Sequence, residues 1–301
     1  MFKPAGTFTA LITPFSGDDV DFGALERNVK DQADAGVTGV VPCGTTGESP
    51  TLSHAEHREV IERTIAAAAG TGLTVMAGTG SNATREAVGL TRAAKQAGAD
   101  AALLVNPYYN KPSQEGLYAH VMAVADAVEI PLVLYNIPGR TGVTMSPETI
   151  ERLAAHPHVV ADKEATGSLD LASEVRQRCG EGFAVLSGDD SLTLPLMSVG
   201  ATGVVSVLSN LMPAEVRKLV DAAAAGDFGS ALDRHLRLFP LFRAMLSVAV
   251  NPVVVKAAMK QAGLDSGALR LPLVEMDAGA AARLQRVVEE TRQRLAEQPG
   301  N

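Results

Sequence analysis

Cysteine is scarce: Cys43 and Cys179 are the only two in 301 residues. That is too few for a disulfide framework or a cysteine-built zinc site. Blocks of basic residues are missing as well. The 26 Lys and Arg are scattered and outnumbered by 34 Asp and Glu, for a net charge of −8, so the footprint of a nucleic-acid partner is not there. Long apolar runs are absent too. The stretch 244–259 is broken by Ser247, Asn251, Pro252 and Lys256, short of the roughly 18 uninterrupted apolar residues that a bilayer demands. The opening MFKPAGTFTALITPF has no sustained apolar core of the signal-peptide kind. The expectation is a cytoplasmic, soluble chain with neither membrane nor nucleic-acid partners. Its 46% hydrophobic and 20% charged residues exclude a disordered, collagen-like or coiled-coil chain.

What is present is an alternation. Short aliphatic, β-rich runs recur at 7–13, 37–42, 73–78, 100–105, 130–136, 158–163, 182–187 and 202–208. Most are continuous rather than alternating, as strands covered on both faces should be. Helical spacing fills the gaps. In 53–69, Val60, Ile61, Thr64, Ile65 and Ala68 form one stripe, and Ser53 with Glu56 has the capping-box pattern. Ser146-Pro147 and Met212-Pro213 mark helix entries, and Gly36, Gly70, Gly98 and Gly180 mark helix stops. Eight such units predict a parallel (β/α)8 TIM barrel, which folds as one unit despite its length. An open doubly wound sheet is the alternative, although it usually needs fewer strands. Residues 1–225 are assigned to the barrel. The rest, 226–301, reads as a helical appendage through 228–246, 252–263 and 278–297.

Unusual polar residues gather after the strands, at the carboxyl rim where a barrel keeps its chemistry. These are Gly44-Thr45-Thr46-Gly47-Glu48, Gly78-Thr79-Gly80-Ser81-Asn82, Asn106 to Asn110, Tyr135 to Gly142, Lys163 to Gly167, and Ser187 to Asp190. Three of the four tyrosines (Tyr108, Tyr109 and Tyr135) fall there. Lys163 ends an aliphatic strand, so its amine can point into an apolar pocket. Desolvation would favour the neutral form, the nucleophile that makes a Schiff base. A surface lysine paired with Glu164 is the plainer reading. Tyr135, on the neighbouring strand, could pass protons or simply line the barrel end. The Gly-Thr-Thr-Gly turn offers N–H groups and hydroxyls to a small carboxylate, or it is a tight turn that caps the next helix. Arg140 is a carboxylate fork or an exposed loop charge. Gly78 and Gly80 read as turn geometry, and Asp189 and Asp190 as helix N-caps. His54 and His57 lack the HExxH pattern of a zinc site.

In this order, GTTGES, AGTGSNAT, NPYYNKPSQEGLY, LYNIPGRTG, KEATG, LSGDD, GVVSV and LRLPL resemble the dihydrodipicolinate synthase family, within the pyruvate-dependent class I aldolases. The likeness covers nearly the whole chain. It implies condensation of pyruvate with L-aspartate 4-semialdehyde, without metal or cofactor, by a homotetramer built as a dimer of dimers. By that resemblance, Lys163 carries the Schiff base and Tyr135 donates and accepts protons. Thr45 links Tyr135 to Tyr109, which a neighbouring subunit contributes. Thr46 binds the pyruvate carboxylate, with Val205 beside the pyruvate. Arg140 holds the semialdehyde carboxylate, with Gly188 beside that pocket. Some members are inhibited by L-lysine in a cleft at the dimer interface, and the matching positions are Ser49, Pro50, His54, His57, Asn82, Glu86 and Tyr108.

Three positions depart from the pattern. Asp162 replaces the usual aliphatic residue before the lysine. Alternation turns it away from Lys163 towards the helices, where a buried charge needs a partner. Pro50 replaces a small residue, and Ala249 an acidic one. N-acetylneuraminate lyase or another sugar-acid aldolase would share Lys163, Tyr135 and the GTTGE turn. The arginine of GRTG favours the semialdehyde. A non-catalytic binding barrel would have no need to keep this set.

Overall fold

The computed structural model describes residues 2–297. Among them, eight parallel strands close into a barrel. They are β1 (Gly6–Ala10), β2 (Gly39–Val41), β3 (Thr74–Gly78), β4 (Ala101–Val105), β5 (Leu132–Asn136), β6 (Val159–Glu164), β7 (Ala184–Ser187) and β8 (Gly203–Ser206). Each pairs with its sequence neighbour, and β8 closes on β1 through Gly6 to Thr9. Every run read as a strand is one. The open sheet is excluded because β1 has partners on both sides. A short antiparallel ribbon, Phe15–Ser16 against Asp19–Val20, was not anticipated. Two residues per strand are too few to show a period.

Helices α1 (Phe22–Asp34), α2 (His54–Ala68), α3 (Thr84–Ala97), α4 (Gln114–Ala127), α5 (Pro147–Ala154), α6 (Leu169–Cys179), α7 (Thr193–Ser198) and α8 (Pro213–Ala224) follow the strands in turn. Their ends obey local chemistry. Ser53 and Glu56 complete a capping box on α2, and Ser146 caps α5 ahead of Pro147. Gly36, Gly70, Gly98 and Gly180 all have positive φ, backbone that glycine adopts readily where a helix stops.

Inward-facing Phe8, Met76, Leu103, Val133, Leu186 and Val205 fill the barrel. Leu132, Leu134, Val185 and Val204 face outward against the helices. Asp162 is in register with Leu134 and Val185, so it does point to the helix layer. It has no partner there among the described residues, although it is buried. Burial, and then the nearby Glu164, raise its pKa well above the carboxylate range. With no counter-charge facing it, its protonated form is favoured.

Three more helices follow the barrel: α9 (Phe228–Ser247), α10 (Val253–Gln261) and α11 (Ala278–Ala296). α9 packs on α8 and α11. α10 carries Lys256, whose fully buried Nζ lies 2.5 Å from Glu48 Oε1 and 4.1 Å from the Phe15 ring centre. The helical unit is thereby fastened to the turn after β2. No helix among the described residues is long and apolar enough to cross a membrane.

Candidate active site

β5 and β6 place the central pair. Tyr135 and Lys163 are register partners on inward-facing positions, and Lys163 Nζ lies 3.9 Å from the Tyr135 ring centre. Both are buried. The surface lysine paired with Glu164 is therefore excluded; the Glu164 carboxylate instead accepts from the Thr166 backbone N–H at 2.5 Å. Burial pulls the Lys163 pKa down to about 7. The Asp190 carboxylate opposes this and the Arg140 charge adds to it. Near neutral pH a large fraction of the amine is unprotonated. Burial pushes the Tyr135 phenol up to about 12, against the pull of Arg140 and the Thr45 side chain, so it stays protonated.

The walls are shaped by close approach. A Cβ at Gly188 would sit 3.2 Å from Lys163 Cε and 2.7 Å from Ala165 Cβ, so only glycine leaves the lysine its path. Gly78 has the same kind of reason, since a Cβ there would meet the Cys43 carbonyl at 2.3 Å. Its φ is not positive, so packing of one loop on another corrects the turn-geometry reading. Val205 is buried on β8 within the same interior cluster as Tyr135.

Asn136 exchanges two hydrogen bonds with the Met145 backbone and closes the loop that carries Arg140. The arginine is exposed, and its Nη2 donates to the Asn251 carbonyl at 2.9 Å. A cavity of about 360 Å³ runs from Thr45, Tyr135 and Arg140 past Ser49 and Pro50 to His54, His57, Glu86 and Tyr108. Seven residues read from separate motifs thus share a hollow with Tyr135 and Thr45. His54 Nε2 lies 2.6 Å from Glu86 Oε1, and Ser81 donates to the same carboxylate. These two contacts hold Glu86 below the usual carboxylate range. His57 is buried, and burial lowers its pKa.

Two residues are not brought in. Tyr109, at positive φ, is 89% exposed and reaches nothing catalytic within its own chain. Asn82 does not line the cavity; its carbonyl accepts from Asn110 Nδ2 at 2.9 Å.

Three contributors escaped the sequence reading. Asp190 caps no helix of its own segment, where Asp189 does that work. It crosses to β8, accepting from Ser206 Oγ at 2.5 Å and from the N–H groups of Val207 and Leu208, and it is the anion felt by Lys163. Asn251 donates through Nδ2 to Thr46 Oγ1 at 3.0 Å. Glu48 is tied to Lys256. The SGDD and GTTGE stretches marked Asp190 and Glu48 as unusual without giving them these roles, and no motif marked Asn251.

A buried, largely neutral lysine beside a protonated phenol, with hydroxyls and an arginine around it, can form an imine with a small keto acid and move protons at its carbons. The comparisons with known proteins agree. The pattern of the Dihydrodipicolinate synthetase family matches residues 3–291. The 4-hydroxy-tetrahydrodipicolinate synthase of Pelobacter propionicus is 53% identical over 284 residues, 94% of this chain and 97% of that one. Two crystal structures superpose closely. A chloride-inhibited dihydrodipicolinate synthase from Acinetobacter baumannii, complexed with pyruvate, has 42% identity and a TM-score of 0.93 over 96% of this chain and 99% of that one. A DHDPS from Cyanidioschyzon merolae with lysine bound has 40% identity and a TM-score of 0.93 over 96% and 98%. The chain belongs to the dihydrodipicolinate synthetase family.

Proposed function

We propose that Lys163 forms a Schiff base with pyruvate and that its enamine attacks L-aspartate 4-semialdehyde. The activity is that of a 4-hydroxy-tetrahydrodipicolinate synthase. The observation that carries the assignment is the buried Lys163 amine, with its pKa near 7, against the Tyr135 ring.

The neutral amine adds to the keto carbon of pyruvate, and loss of water leaves the imine. Removal of a methyl proton gives the enamine, whose carbon bonds to the aldehyde carbon while the aldehyde oxygen takes up a proton. The amine of the adduct then displaces Lys163 at the imine carbon, which closes the ring and frees the enzyme. Tyr135 is the proton carrier in this scheme. Thr45 relays the proton onward to Tyr109 of a neighbouring subunit, a role supported by the exposure of Tyr109 in the single chain. Thr46 holds the pyruvate carboxylate, and Val205 packs beside the pyruvate. Arg140 holds the carboxylate of the semialdehyde at the entrance, with Gly188 beside the same pocket.

The homotetramer we propose has support in α9, where Phe228, Leu232, Leu236 and Phe239 are exposed at helical spacing, a stripe that a second copy would cover. We further propose L-lysine as an inhibitor held by Ser49, Pro50, His54, His57, Glu86 and Tyr108, with the expected Asn82 standing outside the cavity. Glu86 would meet its ammonium group, and the cavity leads from there to Tyr135. Residues 1–225 supply the chemistry and the unit 226–301, of which 298–301 lie outside the described residues, braces it through its helices, and the two unpaired thiols suit the reducing cytoplasm.

Borohydride added with pyruvate should attach a pyruvyl-derived mass to the peptide containing Lys163, and an unmodified peptide would overturn the assignment. Comparing aspartate semialdehyde with sugar aldehydes as acceptor separates the synthase from a sugar-acid aldolase.

A further inference from the structure

Asn251 lies in the short break between α9 and α10, far in sequence from every rim motif. It nevertheless touches two of the residues assigned to substrate. Its side-chain Nδ2 donates to Thr46 Oγ1 at 3.0 Å across 205 positions of sequence. Its backbone carbonyl accepts from Arg140 Nη2 at 2.9 Å across 111 positions. The remaining amide oxygen is buried without a partner. Five residues further on, Lys256 reaches Glu48, two positions after Thr46. The helical unit therefore grips the Gly-Thr-Thr-Gly-Glu turn at two points.

The direction of the first contact matters. A threonine hydroxyl has one proton to give and lone pairs to receive. Because Asn251 Nδ2 is the donor, the Thr46 oxygen is the acceptor, and its own proton remains free to be donated elsewhere. Thr46 is buried, so its rotation is set by the groups around it. We propose that Asn251 is a positioning residue: its side-chain amide aims the Thr46 hydroxyl as a donor at the pyruvate carboxylate, while its backbone carbonyl fixes the Arg140 fork for the second substrate. The two functions use different atoms of one residue, so they can be separated by mutation. This rests on the roles given above to Thr46 and Arg140.

The test is steady-state kinetics on the full chain with both substrates varied. Asn251→Ala removes the amide but keeps the carbonyl. It should raise the KM for pyruvate about 3- to 10-fold, the range expected for one lost hydrogen bond, with kcat and the semialdehyde KM within about twofold. Asn251→Asp, nearly isosteric, should be worse for pyruvate than alanine. Its carboxylate would accept the hydrogen bond that the Thr46 hydroxyl should donate to pyruvate, and would repel the anionic substrate. In a Thr46→Val background, Asn251→Ala should add almost nothing, because the group it acts through is gone. A pyruvate KM unchanged in Asn251→Ala, or an equal loss in the wild-type and Thr46→Val backgrounds, would overturn the inference. If the alanine variant does not fold, the aspartate variant decides by the same comparison. Failure here is distinct from failure of the reaction assignment: wild-type protein that pyruvate and borohydride leave unlabelled sinks the assignment, whereas labelled wild type with an indifferent Asn251→Ala sinks only the positioning role.

Discussion

At the scale of single residues, three buried groups titrate with consequences, two for the chemistry and one for stability. Lys163 is a nucleophile only when neutral, so imine formation with pyruvate should rise with pH through a midpoint near 7 and level off above it. The pH profile of borohydride trapping measures this directly. Asp190 is the carboxylate that raises the lysine's pKa, and Asp190→Asn should move that midpoint to lower pH; an unmoved midpoint would remove Asp190 from the account. Asp162 is the opposite kind of group, a carboxyl buried without a partner, whose burial favours the protonated form. Unfolded, it would release its proton above about pH 4, so its folded form is penalised increasingly as pH rises towards its raised native value. Asp162→Val should therefore stabilise the chain by about 1–3 kcal/mol at neutral pH. The gain should shrink below about pH 4, as urea unfolding at the two pH values would show. The orientation of Asp162 was readable from strand alternation. Its lack of a partner was not, because that depends on which helix residues end up facing it.

At the scale of elements, the turn after β2 links the barrel to the helical unit. Glu48 and Lys256 are both fully buried. Such a pair need not add much net stability, but removing one partner strands the other charge. Lys256→Met should cost about 3–5 kcal/mol in equilibrium unfolding. The double variant Glu48→Gln with Lys256→Met should cost less than the single, since no orphaned charge remains. If the double variant is the worse of the two, the contact between the elements is not mainly electrostatic. The sequence shows GTTGE as a motif and Lys256 as a charge interrupting an apolar stretch, yet 208 positions separate the partners. No local pattern connects them.

At the scale of the whole molecule, one chain leaves work undone. Tyr109 stands in solvent, and α9 presents an apolar stripe outward. Tyr109→Phe should cut turnover while leaving melting temperature unchanged, as a relay entering from a neighbour requires; full activity in that variant would remove the relay. Leu232→Glu with Leu236→Glu should leave a folded protein of smaller sedimentation coefficient. An unchanged coefficient would mean that α9 faces no second copy.

By itself, the sequence determined the strand–helix alternation, the helix caps, the glycine stops and the set of polar residues at the rim. Those features arise from periodicity and turn chemistry over a few neighbouring residues. The tertiary structure decided the rest. Closing the barrel laid Lys163 over the Tyr135 ring and took it out of water, brought Asp190 within its field, and returned Asn251 and Lys256 to the turn after β2. Desolvation and distant pairing belong to the assembled neighbourhood, because both depend on which surfaces exclude water together, and no stretch of chain carries that information alone.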